Sequence, residues 1–175
     1  FEVLDYALLS APGAPLKQAL LDAKIGKDIY GSFEDGIKQT YFSIVAKGAN
    51  LSQKEEFVKV IRDTLTKIME KGIDKKAVTA GINYYEFRFR EADFSSYPKG
   101  LMYGLDILSS WLYDDTKPFC EVQLLEGFEF LKKALEEGYF EDLIRKYLLD
   151  NTHGAILSLV PEKGLAAKRD KELEE

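Results

Sequence analysis

The chain has 175 residues, 46% of them hydrophobic, and a net charge of -6. That length buries one sizeable core and leaves no room to expect two independent ones, while the interspersed Glu and Lys argue against the clustered basic face of a nucleic-acid binder. No apolar run approaches the roughly 18 to 20 residues of a membrane span, and one cysteine, Cys120, builds no disulfide framework and fits a reducing, cytoplasmic setting.

In chain order, Phe1 stands directly inside an apolar pattern of Val3, Leu4, Ala7 and Leu8, with no Met and no targeting segment before it, so this end reads as a cut. Residues 1–9 and 14–24 read as helical, separated at Ser10-Ala-Pro-Gly13, with Pro15 suited to a first turn and Gly26 closing the second helix. From Asp28 to Gly48 the texture changes to Tyr, Phe, Ile and Val, with a turn signal at Glu34-Asp-Gly36, and predicts a hairpin. Phe57, Val60, Ile61, Leu65, Ile68 and Met69 then share one helical face, opened by Ser52 as cap with Glu55 three residues later and closed by Gly72.

Asp74 is placed to cap the next helix, which runs toward Asp93 with Ala77, Val78, Ile82, Tyr85 and Phe89 as its inner stripe. A further helix spans about Lys99 to Tyr113, and two more lie around 121–136 and 140–149, broken at Gly138. Ala155-Ile-Leu-Ser-Leu-Val160 is short, apolar and stopped by Pro161, which predicts a strand. Lys168 to Glu175 is charged and helix-prone, as a linker helix cut short would be. The sum is helix-rich α+β, with strands in two separated places that must meet in space.

The search for chemistry returns mostly negatives. His153 is the single histidine, so no histidine pair can hold zinc within this chain, and a capping or surface role outweighs catalysis. Cys120 has no nearby His and reads as structural. Asp114-Asp115 suits a turn cap, Glu136-Glu137 a solvated helix end, and neither shows a calcium-loop spacing. No glycine-rich phosphate cradle is present. Tyr84-Tyr-Glu-Phe-Arg-Phe-Arg-Glu91 interleaves aromatics with Arg, as a base-stacking or peptide-binding stretch would, but Tyr85 and Phe89 share one helical face and Arg88 can pair with Glu91, so core packing is favoured.

Several stretches together carry a resemblance. Leu8-Leu9, then Ala14-Pro-Leu-Lys-Gln-Ala-Leu-Leu-Asp-Ala-Lys-Ile-Gly26, then Gln39-Thr-Tyr-Phe-Ser-Ile-Val-Ala-Lys-Gly48, the helices after Ser52 and Asp74, the Ser95-to-Trp111 region and Asn151-Thr-His-Gly-Ala-Ile-Leu-Ser-Leu-Val-Pro161 occur in the order seen in insulinase or pitrilysin-type zinc peptidases. Each is only moderately specific; order and spacing make the likeness, which covers nearly the whole chain. It resembles the presequence protease branch in particular, where a charged linker helix follows in the place of residues 162–175.

The resemblance implies an insulinase or mitochondrial-processing-peptidase-like sandwich, helices packed on one antiparallel-rich sheet. Residues 1–161 would be the second, non-catalytic domain of the N-terminal half, and 162–175 the start of a linker helix to the C-terminal half. It implies zinc in the parent enzyme, bound by a domain outside this chain through an inverted His-x-x-Glu-His motif whose Glu serves as general base. No catalytic, cofactor-binding or metal residue carries over, and the oxyanion-assisting Arg and Tyr belong to the opposite half. Expected partners are the other domains of the parent chain and unfolded peptide substrates enclosed in a chamber, with no nucleic acid and no membrane span. Two other readings stay open: a domain of a catalytically inactive structural homologue, distinguished by the lack of an upstream zinc motif, and a free-standing interaction module, distinguished by a start codon at Phe1.

Overall fold

An apolar start to the chain leaves the first helix no solvent face to keep. In the computed structural model, which describes residues 1–92 and 94–174, helix α1 (Glu2–Asp5) continues as a π-helical stretch (Tyr6–Ser10) whose last turn is tied by the Ala11 amide donating to the Tyr6 carbonyl at 2.7 Å. Val3, Leu4, Ala7, Leu8 and Leu9 are all buried along it. Helix α2 (Pro15–Asp22) begins on the expected Pro and adds Leu16 and Leu20 to the same core, and Gly26 turns the chain in the left-handed region at φ +75.

Strands β1 (Asp28–Glu34) and β2 (Tyr41–Lys47) form the expected hairpin, antiparallel and in register from Asp28 opposite Lys47 to Glu34 opposite Tyr41. Ile29 is fully buried on the helix side, and Ser32 and Ser43 share a cross-strand hydrogen bond of 2.9 Å. Gly31 is where this sheet meets α1: an added Cβ there would lie 2.3 Å from Leu9 Cδ1 and 2.4 Å from Asp5 Oδ1.

Helix α3 (Lys54–Lys71) packs Leu65 into the core, with Phe57, Val60, Ile61, Ile68 and Met69 half-buried against it as their spacing predicts. Its cap departs from expectation. Asn50, two residues before Ser52, accepts from Gln53 while the Gln53 side chain receives the Asn50 amide at 3.1 Å, so a 3-10 turn (Leu51–Gln53) precedes the helix and the Ser52–Glu55 pairing is not used. Asn50 wins because the chain enters there in extended conformation, the geometry a cap needs.

Helix α4 (Lys75–Glu91) is capped by Asp74, whose Oδ1 accepts from the amides of Lys76 and Ala77, and buries Val78, Gly81 and Ile82 against α1. Helix α5 (Lys99–Trp111) follows, then a 3-10 turn (Cys120–Val122) where the chain reads as helix from residue 121, and α6 (Leu125–Ala134). Helix α7 (Tyr139–Leu143) starts after Gly138, at φ +80, and continues as a second π-helical stretch (Ile144–Leu149); Phe140 and Ile144 complete the core. Glu141 fastens the α3–α4 turn by accepting from the Ile73 amide at 3.0 Å. Glu86 on α4 bridges to Lys132 on α6 at 2.7 Å, and that ammonium, with Arg90, holds the Glu86 carboxyl below its ordinary range.

The α+β class therefore holds, but one predicted strand does not. Residues 155–160 join no ladder, and the sheet among the described residues has two strands only. The run has a strand's composition, yet β1 and β2 bond to each other and no described strand pairs with it; Leu157 is 89% and Leu159 99% exposed. Helix α8 (Leu165–Glu174) closes the description. Asp93 and Glu175, to which the α4 and terminal-helix predictions extend, lie outside the described residues.

Candidate interaction surface

The residues singled out for chemistry are dispersed. His153 is exposed; its amide donates to Asn151 Oδ1 at 2.8 Å and its Nδ1 lies 3.4 Å from Gln39 Nε2, a turn-stabilising surface role. Cys120 is free and exposed, 3.6 Å from its neighbour Glu121, so it packs in no core. Asp114 Oδ1 accepts from the Thr116 amide and hydroxyl, the predicted turn cap, which holds that carboxyl below its ordinary range. Glu136 pairs with Lys75 across the surface. Among the described residues no group of three or more His, Cys, Asp or Glu could hold a metal ion.

The aromatic–Arg stretch on α4 is mostly structural. Tyr85 and Phe89 pack against the core, and Phe89 meets the Phe128 ring at 5.9 Å. The predicted Arg88–Glu91 pair is not the one formed: Arg90 bridges to Glu86 at 2.6 Å, one turn back, and Arg88 lies over the Tyr84 ring instead. Phe87 points outward and, with Phe94 and Tyr97, walls a shallow open cleft of about 350 Å³ where the chain leaves α4.

What the molecule does offer is surface. Helix α5 buries no residue, although Leu101, Tyr103, Leu105, Leu108 and Trp111 stand at or near half exposure along it and Leu112 follows at 71%. Lys99, Asp106, Ser109 and Ser110 share one side of this helix and the apolar residues occupy the rest, and a soluble monomer rarely leaves so many large apolar side chains of one helix uncovered. Residues 156–160 add a second apolar strip. The sequence of α5 shows its broad apolar stripe; that the stripe stays uncovered it does not show.

Acidic groups gather beside this region. Partial desolvation, then the Asp35 carboxylate at the hairpin tip, pushes Glu2 up, with Glu121 adding to it; burial and Asp35 push Asp106 of α5 up as well. These cross-effects place the hairpin tip, the start of α1 and α5 within electrostatic reach of one another.

Among proteins of similar sequence, Protein HypA of Clostridium perfringens is 47% identical over 173 residues, which is 99% of this chain and 18% of that protein. Presequence protease 1, chloroplastic/mitochondrial, of Arabidopsis thaliana is 34% identical over 97% of the chain and 16% of its own length. The mitochondrial presequence protease of Xenopus laevis is 27% identical over 93% and 16%. No family model matches. The chain thus spans less than a fifth of the length of these relatives.

Proposed function

This chain is a presequence protease-related segment, and on that premise we propose that it is the non-catalytic domain of a larger zinc-dependent metalloendopeptidase, lining the chamber in which unfolded peptides are degraded and supporting the catalytic domain. The observation that carries this reading is the uncovered apolar surface of α5 and residues 156–160, which the segment cannot bury alone. Inter-domain faces within one chain have this character. Residues 162–175, helical from Leu165 to Glu174, would begin the linker to the other half.

The residues of this chain do not fit a zinc site. Its single histidine is exposed and engaged with Asn151 and Gln39, and no metal-holding cluster exists among the described residues. Zinc chemistry would belong to another part of the parent, and this segment would contribute shape, excluded water and a braced neighbour. No helix described here is long and apolar enough to cross a membrane; a cytoplasmic compartment is part of this proposal.

The test uses the full parent chain and an unfolded peptide substrate. Hydrolysis abolished by a chelator and restored by zinc is expected. In the same parent, Leu101→Ser with Leu112→Ser is expected to cost about 2 kcal/mol or more of stability, as at a buried interface, yet to move the 175-residue segment by no more than about 0.5 kcal/mol. A parent that cleaves no peptide would favour the inactive structural homologue; an unmoved parent would remove α5 from any interface.

A further inference from the structure

We infer that Asp5 is a pH-responsive latch between helix α1 and the β1–β2 hairpin: as the neutral acid it lets the two elements close on each other, and as the carboxylate it loosens them. Asp5 is 9% exposed in a helix otherwise lined by buried apolar residues. Ser10 Oγ donates to Oδ2 at 3.2 Å, and among the described residues no protein donor reaches the buried Oδ1. Oδ1 instead abuts Gly31, 2.4 Å from the position a Cβ would take, with the Ser43 carbonyl oxygen 2.9 Å from that same point. A carboxylate set against a Cα–H and a carbonyl meets no N–H or O–H donor there. One hydroxyl is less than a buried carboxylate requires, whereas the neutral acid brings an O–H of its own.

Desolvation accordingly pushes Asp5 above its ordinary range, with the Ser10 bond pulling the other way. Two other titratable side chains share this corner. Tyr85 from α4 is pushed up to about 12 by burial, then by Glu2 and Asp5, and stays neutral throughout. Glu2 is pushed up by desolvation and Asp35, opposed first by the Phe1 amino group, which burial itself lowers, and then by Arg88 of α4. The hairpin brings the main chain of Gly31 and the Ser43 carbonyl to this corner. Folded Asp5 keeps its proton to higher pH than unfolded Asp5, so between the ordinary aspartate value and the raised one the folded state binds more protons. Stability is full below that interval, falls as pH rises through it, and is flat above.

The experiment is a carboxyl titration by NMR of the 175-residue chain from about pH 3 to about pH 8, with amide protection of Tyr30, Gly31 and Ile44 measured alongside. Protection is expected to fall about tenfold for each pH unit by which the folded midpoint of Asp5 exceeds its unfolded one. Asp5→Asn should flatten the profile, Glu2→Gln should leave it in place, and Ser10→Ala should move the midpoint upward, because the donated bond favours the carboxylate. An Asp5 midpoint at or below the ordinary range overturns the inference, as does an unchanged profile in Asp5→Asn or a lost one in Glu2→Gln. Should Asp5→Asn not fold, the Ser10→Ala midpoint decides: unmoved or lowered, it overturns the latch.

Discussion

At Gly31 the backbone of β1 runs so near α1 that any side chain must displace Leu9, Asp5 or the Ser43 carbonyl. Gly31→Ala is therefore expected to destabilise the chain by about 1–3 kcal/mol through overpacking, read as a lower denaturation midpoint at unchanged slope; an unchanged midpoint would mean that the hairpin rides freely over the helix. Asp74 is the opposite kind of residue, identified from local pattern alone, since an acid after Gly72 and before a periodic run has one evident use. Its two accepted amides make Asp74→Ala cost about 0.5–2 kcal/mol in the same measurement, and a silent substitution would show the cap replaced by solvent. The Ser52 assignment failed where Asp74 succeeded because two residues with capping side chains, Asn50 and Ser52, stand within one turn, and only the entering backbone angle selects between them. Asp5 was unreadable as a buried carboxylate for a related reason: its burial is imposed by the hairpin, distant in sequence.

Helices were legible from periodicity wherever one face is buried by the chain itself, as for α2, α3 and α4. The hairpin was legible because its pairing is local. Residues 155–160 mark the limit, since apolar composition fixes a tendency to extend while a strand exists only once a neighbour supplies the ladder. Lysines in place of Leu157 and Leu159 are expected to leave the thermal midpoint of the segment unchanged within about 0.5 kcal/mol, because both side chains already face solvent. In the parent enzyme the same pair should be costly if the strip is covered there. A segment that loses its midpoint on these substitutions would show that the run packs on its own core. Helix α5 teaches the same lesson: its existence was plain in the sequence, but which body it faces was not.

At the scale of the whole molecule, one core gathers α1, α2, β1, α3, α4, α6 and α7, and an apolar margin lies outside it. The isolated segment is expected to bind an apolar-surface dye and to self-associate in a concentration-dependent way; a monodisperse monomer blind to the dye would count against an interface role. The position of α1 in that core also sets a schedule. Phe1 meets the Tyr147 ring edge-on, and Leu4 and Leu8 share a core with Phe140 and Ile144, so the first helix of this segment is walled in by one of its last. At synthesis rates of about 5–20 residues per second, roughly 7 to 30 seconds separate Leu8 from Ile144, so this core closes only when the segment is nearly whole.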